Sequence, residues 1–172
     1  MLLENIRAEI IPGLSSGTRD YLLESAVVSL CRNQHKTGVE MECTGLVDKQ
    51  EKLEWELLYS DILDRSFNDQ DVATEHGACC ISILYALQNT EYTVIRRARK
   101  KSGIDYWLGR KEDQLFQDAA RLEISGIYNG KDKINSRTKS KKNQTAQSDS
   151  TQLPVYISVV EFGTPKISFT KK

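Results

Sequence analysis

Residues 92–127 read YTVIRRARKKSGIDYWLGRKEDQLFQDAARLEISGI and contain three short apolar segments separated by polar residues. The segments Tyr92–Ala98, Ile104–Leu108 and Ala120–Ile127 have the lengths of strands and the β-branched and aromatic side chains that strands favour. Between the first two lies Arg99-Lys100-Lys101-Ser102-Gly103, which has the composition of a turn. We therefore predict three consecutive strands in this part of the chain.

A helix is predicted directly before these strands. From Asp71 to Gln88, small and apolar side chains recur at the three- and four-residue spacing of one helix face. Asp71 is a suitable N-cap, and Asn89 is a suitable residue to end the helix.

The chain after the three strands alternates between polar and apolar segments. Residues 129–152 are rich in Lys, Ser, Asn, Gln and Thr, which predicts a solvated helix, a mobile loop, or both in sequence. Val155–Phe162 is a nearly continuous apolar run, typical of a strand that is buried on both faces. Lys166–Phe169 is predicted to be a short last strand.

The N-terminal part has a weaker pattern, from which we predict a short helix followed by strands. Tyr21–Cys31 and Val39–Gly45 are apolar segments around a polar turn, and we interpret them as a hairpin. Leu53–Leu58 alternates between apolar and acidic side chains and is a candidate third strand. Ser60–Phe67 is predicted to form a short helix, since it begins with capping-type residues.

Length and composition favour one domain over residues 1–172. The predicted elements make it an α/β domain, with an N-terminal helix and β-rich extension in residues 1–70 before the helix and strands of residues 71–172. Lys plus Arg and Asp plus Glu both number 24, so the net charge is zero and any nucleic-acid site has to be local. No run is apolar enough to cross a membrane, and acidic residues stand where a signal peptide would have a basic start. We therefore expect a cytoplasmic protein that does not bind membranes.

Two short motifs lie on the predicted strands. Gly103-Ile104-Asp105 resembles the "G-I-D" motif, and Leu122-Glu123-Ile124-Ser125 resembles the "hydrophobic-E-x-K" motif, of the PD-(D/E)XK nuclease superfamily. The predicted order of helix, three strands, polar connector and strand is similar to the αβββαβ core of that superfamily. The resemblance implies a restriction-endonuclease-like fold, a mixed sheet flanked by helices, and a metal-dependent nuclease acting on DNA or RNA in bacterial defence or repair.

The resemblance also implies a metal site at Asp105 and Glu123. Hydrolysis of a phosphodiester needs a hard cation such as Mg²⁺ or Mn²⁺, held by carboxylates, to activate water and offset negative charge. Neighbouring strands lie about 4.8 Å apart, so an acid from each can reach one site. The alternative is that Asp105 only flanks a turn and Glu123 only occupies an exposed strand position.

Glu75 is a third candidate catalytic acid, because the superfamily often places an acid on the helix before the sheet. In the first turn of the predicted helix, Glu75 would alternatively serve only to complement the helix dipole.

Ser125 departs from the motif, which has a catalytic lysine at this position. A serine cannot supply the positive charge that orients water and stabilises the developing negative charge. One possibility is that a lysine from another part of the chain supplies this charge, and the alternative is that the protein is a catalytically inactive member of the fold. The candidate replacements are Lys139, Lys141 and Lys142 in the connector and Lys100 and Lys101 in the turn.

Two groups of basic residues are candidates for binding nucleic acid. A basic cluster lies beside Asp105, where phosphates next to a bound metal would need cations. A second basic run lies in the connector, and either group would also suit a solvated loop. The candidates are Arg96, Arg97, Arg99, Lys100 and Lys101 in the first group and Lys139, Lys141 and Lys142 in the second.

Three functional hypotheses follow. The first is a metal-dependent nuclease. The second is an inactive protein of the same fold that binds a nucleic acid or a protein partner. The third is a scaffold subunit of a larger complex, whose polar connector becomes ordered only against its partner.

Overall fold

A computed structural model describes residues 1–112 and 116–172, and within these residues seven strands form one mixed sheet. The strands are β1 (Val39–Gly45), β2 (Lys49–Leu53), β3 (Tyr92–Arg97), β4 (Tyr106–Arg110), β5 (Ala120–Ile127), β6 (Val155–Glu161) and β7 (Lys166–Lys171). The α-helices are α1 (Asn5–Ala8), α2 (Ser16–Arg32), α3 (Asp61–Ser66), α4 (Gln70–Asn89) and α5 (Ile134–Gln144). The order of strands in the sheet is β2-β1-β7-β6-β5-β4-β3.

The α/β class and the mixed sheet flanked by helices are confirmed. Strands β3, β4 and β5 pair antiparallel in chain order, and β5 pairs parallel with β6 after the α5 crossover. The predicted order from α4 to β6, which is helix, three strands, polar connector and strand, is confirmed, and the connector contains helix α5. Helix α4 begins one residue earlier than predicted, because Asp69 rather than Asp71 accepts hydrogen bonds from the first free backbone N–H groups.

Strand β5 is covered on both faces, and this arrangement positions the site. Leu122 and Ile124 belong to the larger buried cluster, which includes the apolar side chains of α4. Ile127 packs instead in a second cluster with Ile134 of α5. Because side chains alternate along a strand, Glu123 lies with Ile127 on the face that α5 covers.

The N-terminal part differs from the sequence prediction at Tyr21–Cys31, which is helical and not a strand. It lies within α2, whose Ser15 side chain caps the Thr18 backbone N–H. The buried positions of α2 recur at helical spacing and pack on α4. A strand, in which side chains alternate between two faces, would not bring these positions to one face. The buried apolar side chains are Leu22, Leu23, Ala26, Val27 and Leu30.

The strand partner of β1 is therefore β2, and the extension is less β-rich than predicted. Strand β2 lies earlier than the predicted segment Leu53–Leu58, of which only Leu53 belongs to the strand. β1 also pairs parallel with β7, so the hairpin extends the same sheet. Helix α3, with Ser60 as its N-cap, confirms the short helix predicted there.

The polar connector 129–152 is helical rather than an irregular loop. It contains α5 followed by a 3₁₀ segment, Thr145–Thr151. Every residue of β6 is buried, as the apolar run predicted. Among the described residues, no helix has the length and apolarity needed to cross a membrane.

Candidate active site

Asp105, directly before β4, and Glu123, on the neighbouring strand β5, lie close together. Tyr106, the first residue of β4, pairs with Leu122 in antiparallel register, so Asp105 and Glu123 each lie one residue beyond this pair in the same direction. The Asp105 backbone N–H donates to the Leu122 carbonyl at 2.9 Å. The Ile124 backbone N–H donates to Asp105 Oδ2 at 2.8 Å and fixes that carboxylate against β5. The structure therefore brings the two motif acids together.

Glu123 is buried, with 1% of its surface exposed, which excludes the alternative of an exposed strand position. Its Oε1 accepts hydrogen bonds from Lys141 Nζ at 2.6 Å and Gln144 Nε2 at 3.0 Å. Its Oε2 is also buried but has no hydrogen-bond partner among the described residues. A buried carboxylate oxygen without a donor is costly, and a proton shared with Asp105 or a bound cation would satisfy it.

The two carboxylates perturb each other. Burial and then the negative charge of Asp105 raise the pKa of Glu123 to about 7, although the nearby Lys141 ammonium opposes this rise. Burial also raises the pKa of Asp105, against the opposing effects of the Ile124 N–H and Lys141. Near neutral pH the pair therefore holds a proton part of the time, which a cation bound between the carboxylates would displace.

Helix α5 delivers Lys141 to Glu123 because one face of the helix lies on the sheet. Ile134, Thr138, Lys141 and Thr145 are separated by four, three and four positions, so their side chains share this face. Ile134 and Thr145 are buried. Lys139 and Lys142 lie on the outer side of α5, and both are exposed.

Gln144 was not a candidate from the sequence. It follows Lys141 by three positions, which places both side chains beside Glu123. The spacing of Ile134, Lys141 and Gln144 is visible in the sequence, but it becomes informative only once the connector is assigned as a helix. Without that assignment, nothing in the sequence distinguishes the polar residues that face Glu123 from the other polar residues of the connector.

A cavity of about 570 Å³ lies over the carboxylate pair, between α4, β5 and α5. Ser125 lines it, two positions from Glu123 on the same strand face, so the motif position does reach the site. Glu75 also lines it but is exposed, and α4 begins at Gln70, so Glu75 lies beyond the first helical turn where it was predicted. The other charged residues that line the cavity are Asp71, Lys133, Arg137 and Lys141.

A second cavity, of about 300 Å³, lies on the other side of Asp105. Four of the predicted basic residues line it, and Asp105 and Gln144 line both cavities. The four are Arg97, Arg99, Lys100 and Lys101.

Three of the predicted nucleic-acid-binding residues lie apart from both cavities. Arg96 forms an ion pair with Asp118, and its guanidinium lies 5.0 Å from the ring centroid of Trp107. Lys139 and Lys142 are on the outer side of α5 and line neither cavity. The predicted basic residues therefore fall into two groups, those that line one of the two cavities and those that lie outside both.

The donor set at Asp105 and Glu123 suits a hard cation. Within residues 1–112 and 116–172, no group of three or more His, Cys, Asp or Glu side chains is arranged to hold a metal ion. Mg²⁺ is commonly bound through one or two carboxylates, with water and substrate phosphates as its other ligands. Two carboxylates with one unpaired buried oxygen meet that requirement. A soft metal, which prefers thiolate or imidazole, is not favoured by these oxygen ligands.

Comparisons of the chain with models of known protein families, with curated proteins and with solved structures found no match. The geometry and chemistry of the two cavities are therefore the basis for a functional assignment. The carboxylate pair offers oxygen ligands for a metal, and the neighbouring basic residues offer positive charge for a phosphate.

Proposed function

We propose that this protein is a metal-dependent nuclease that hydrolyses phosphodiester bonds of DNA or RNA. The observation that carries the proposal is the pairing of Asp105 with Glu123 beside the Lys141 ammonium, in one cavity, with Glu123 Oε2 buried and without a partner among the described residues. An oxygen-lined metal site next to fixed positive charge is the combination that phosphoryl chemistry requires.

The resemblance to the PD-(D/E)XK superfamily supports the same proposal. The two motif acids lie close together, Asp105 directly before β4 and Glu123 on β5. The order of elements from α4 to β6 is also the order expected of that superfamily.

Asp105 and Glu123 are the residues that would hold the metal. A bound Mg²⁺ or Mn²⁺ would activate a water molecule and offset the negative charge of the phosphate. The Ile124 N–H fixes Asp105, and Gln144 fixes Glu123, so neither carboxylate has to reorient before a cation binds.

Lys141 is the residue we propose for the role of the missing motif lysine. Its ammonium contacts Glu123 directly and is part of the cavity wall, with 20% of its side chain exposed. Lys139 and Lys142 point away from the cavity, while Lys100 and Lys101 line the second one. Ser125 cannot provide a positive charge, but Lys141 supplies it from the helix that covers the same strand face.

The proposal is tested by isothermal titration of Mn²⁺ into the wild type and into an Asp105→Asn, Glu123→Gln variant. We expect binding to the wild type and a loss of at least tenfold in affinity in the variant, since both carboxylates are removed without a change of shape. Cleavage of mixed single- and double-stranded DNA and RNA is expected to disappear in the variant as well.

A matched control is Glu40→Gln, because Glu40 is exposed on β1, far along the sheet order from β4 and β5. It is expected to leave the Mn²⁺ isotherm unchanged. Absence of Mn²⁺ binding to the wild type would remove the metal-dependent nuclease from consideration.

An inactive binding protein is the second candidate, and two observations favour it. Ser125 replaces the motif lysine, and Lys141 already neutralises part of the charge on Glu123. Leu58, just before α3, and Ile62, within α3, are 84% and 72% exposed, and Tyr59 beside them is also exposed. An apolar surface of neighbouring side chains suits a protein partner. Tight binding of a partner or an oligonucleotide, with no cleavage in Mn²⁺, would support this candidate.

A further inference from the structure

The two cavities on either side of Asp105 differ in charge. Four acidic and three basic side chains line the cavity over the carboxylate pair. Four basic side chains line the second cavity, and Asp105 is the one acid among its described lining residues. The chain as a whole is neutral, so this separation is local. The first cavity suits a cation, and the second suits an anion.

The basic side chains of the second cavity are not neutralised within the protein. Arg97, Arg99, Lys100 and Lys101 form no ion pair with any residue in the described ranges 1–112 and 116–172. Arg96, next to them in sequence, is paired with Asp118. These four cations outnumber Asp105, the one acid among the cavity's described lining residues, so they repel one another, and a bound anion would relieve that repulsion.

The wall of the second cavity is held in place by the contact between the β3–β4 turn and the end of α5. A Cβ added at Gly103 would lie 2.4 Å from the Gln144 carbonyl oxygen, so the two backbones are in close contact. Gly103 has a φ of +77°, and only glycine adopts this conformation without strain. The turn residues that carry the positive charges are therefore anchored at their base to the helix that carries Lys141.

We propose that the second cavity is a subsite for the phosphate adjacent to the one that lies over Asp105 and Glu123. The proposal rests on the proposed function and adds the path of the substrate: a polynucleotide strand runs from α5, over Asp105 and Gln144, to the β3–β4 turn. Asp105 and Gln144 line both cavities, so the two phosphate positions share a boundary. The substrate is therefore a chain with at least two consecutive phosphodiesters.

The test compares two double variants that each remove two positive charges. Lys100→Ala, Lys101→Ala removes them from the second cavity. Lys139→Ala, Lys142→Ala removes them from the outer side of α5, outside both cavities. All four side chains are exposed, and circular dichroism verifies that both variants are folded. The probe is a fluorescein-labelled dT12 oligonucleotide in EDTA, so that binding is measured without metal or cleavage.

We expect the Lys100, Lys101 variant to bind dT12 at least tenfold more weakly than the wild type. Its slope of log affinity against log salt should fall by about 1.4, since each lost contact to single-stranded phosphate removes about 0.7. The Lys139, Lys142 variant should bind within twofold of the wild type. Equal losses in both variants, no loss in either, or no binding of dT12 by the wild type would each overturn the subsite.

The nuclease proposal is tested separately with Mn²⁺ titration and hydrolysis of bis(p-nitrophenyl) phosphate, which has one phosphate and cannot span both cavities. Hydrolysis by the wild type without the expected dT12 result would retain the nuclease and reject the subsite. The expected dT12 result without Mn²⁺ binding would reject the nuclease and retain the cavity as the phosphate-binding surface of an inactive protein.

Discussion

Replacement of Glu123 by glutamine is expected to stabilise the metal-free protein at alkaline pH and to have little effect at acidic pH. Glutamine keeps the shape of the side chain and removes its negative charge. Glu123 is 1% exposed and lies against Asp105, so its ionised form is destabilised in the folded protein by burial and by a like charge. The variant avoids that cost.

The magnitude follows from the pKa of Glu123, which rises from 4.5 to about 7 on folding. The native state holds this proton more tightly than the unfolded chain, so its contribution to stability is present below pH 4.5 and is lost as pH rises through 7. One pKa unit corresponds to about 1.4 kcal/mol. Asp105 shares the proton, which reduces the effect assigned to Glu123 alone. We therefore expect the free energy of unfolding of the wild type to be about 2–3 kcal/mol lower than that of Glu123→Gln at pH 8.

Urea unfolding in EDTA at pH 5, 6, 7 and 8 measures this difference. The stability advantage of Glu123→Gln should increase steadily over the series. Glu75→Gln is the matched control, because Glu75 lines the same cavity but is exposed, and it should keep the pH profile of the wild type. A difference between Glu123→Gln and wild type that is constant across the series would refute a buried carboxylate pair.

Three further substitutions test the ion pair at Glu123 and the packing of the sheet against α4. Lys141→Met leaves Glu123 without its cation and should destabilise the protein by about 1–3 kcal/mol at pH 8 and by less at pH 5. Urea unfolding measures this loss, and an equal loss at both pH values would contradict the ion pair. Ser158→Ala leaves the buried Ser82 hydroxyl without the partner that lies 2.7 Å away and should lower the free energy of unfolding by about 1–3 kcal/mol. In a double-mutant cycle, the variant with alanine at both positions should recover part of that loss. Gly126→Ala should lower the thermal midpoint by at least several degrees, because a Cβ there would lie 2.4 Å from the Thr74 carbonyl oxygen of α4; an unchanged midpoint would show that α4 can move away without cost.

Several elements could be predicted from the sequence because their signals are local. The predicted bounds of β5 match those observed, and α4 differs by about one residue at each end. The prediction of a strand at Tyr21–Cys31 was wrong, because an apolar segment of this length also fits a helix. Leu22, Leu23, Ala26, Val27 and Leu30 have a helical period, so the signal was present.

The basic residues show where local information ends. Arg96 and Arg97 are adjacent in sequence, yet Arg96 is paired with Asp118 and Arg97 lines the second cavity. Successive strand residues point to opposite faces, and a register shift between Val94 and Arg96 alters the alternation at this point. The face on which each arginine lies depends on that irregularity, which the sequence pattern did not reveal.

The sequence by itself determined the α/β class, the order of elements from α4 to β6, and the pair of acids at Asp105 and Glu123, because strand and helix periods and short motifs depend on near neighbours in the chain. Only the tertiary structure decided that Lys141, rather than Lys139 or Lys142, contacts Glu123. Each residue turns an α-helix by about 100°, so the three lysines point in different directions, and which of them faces β5 depends on how α5 rotates to bury Ile134 and Thr145 against the sheet. That rotation is set by packing between segments distant in sequence, and it places a positive charge near Ser125, which stands where the motif has its lysine.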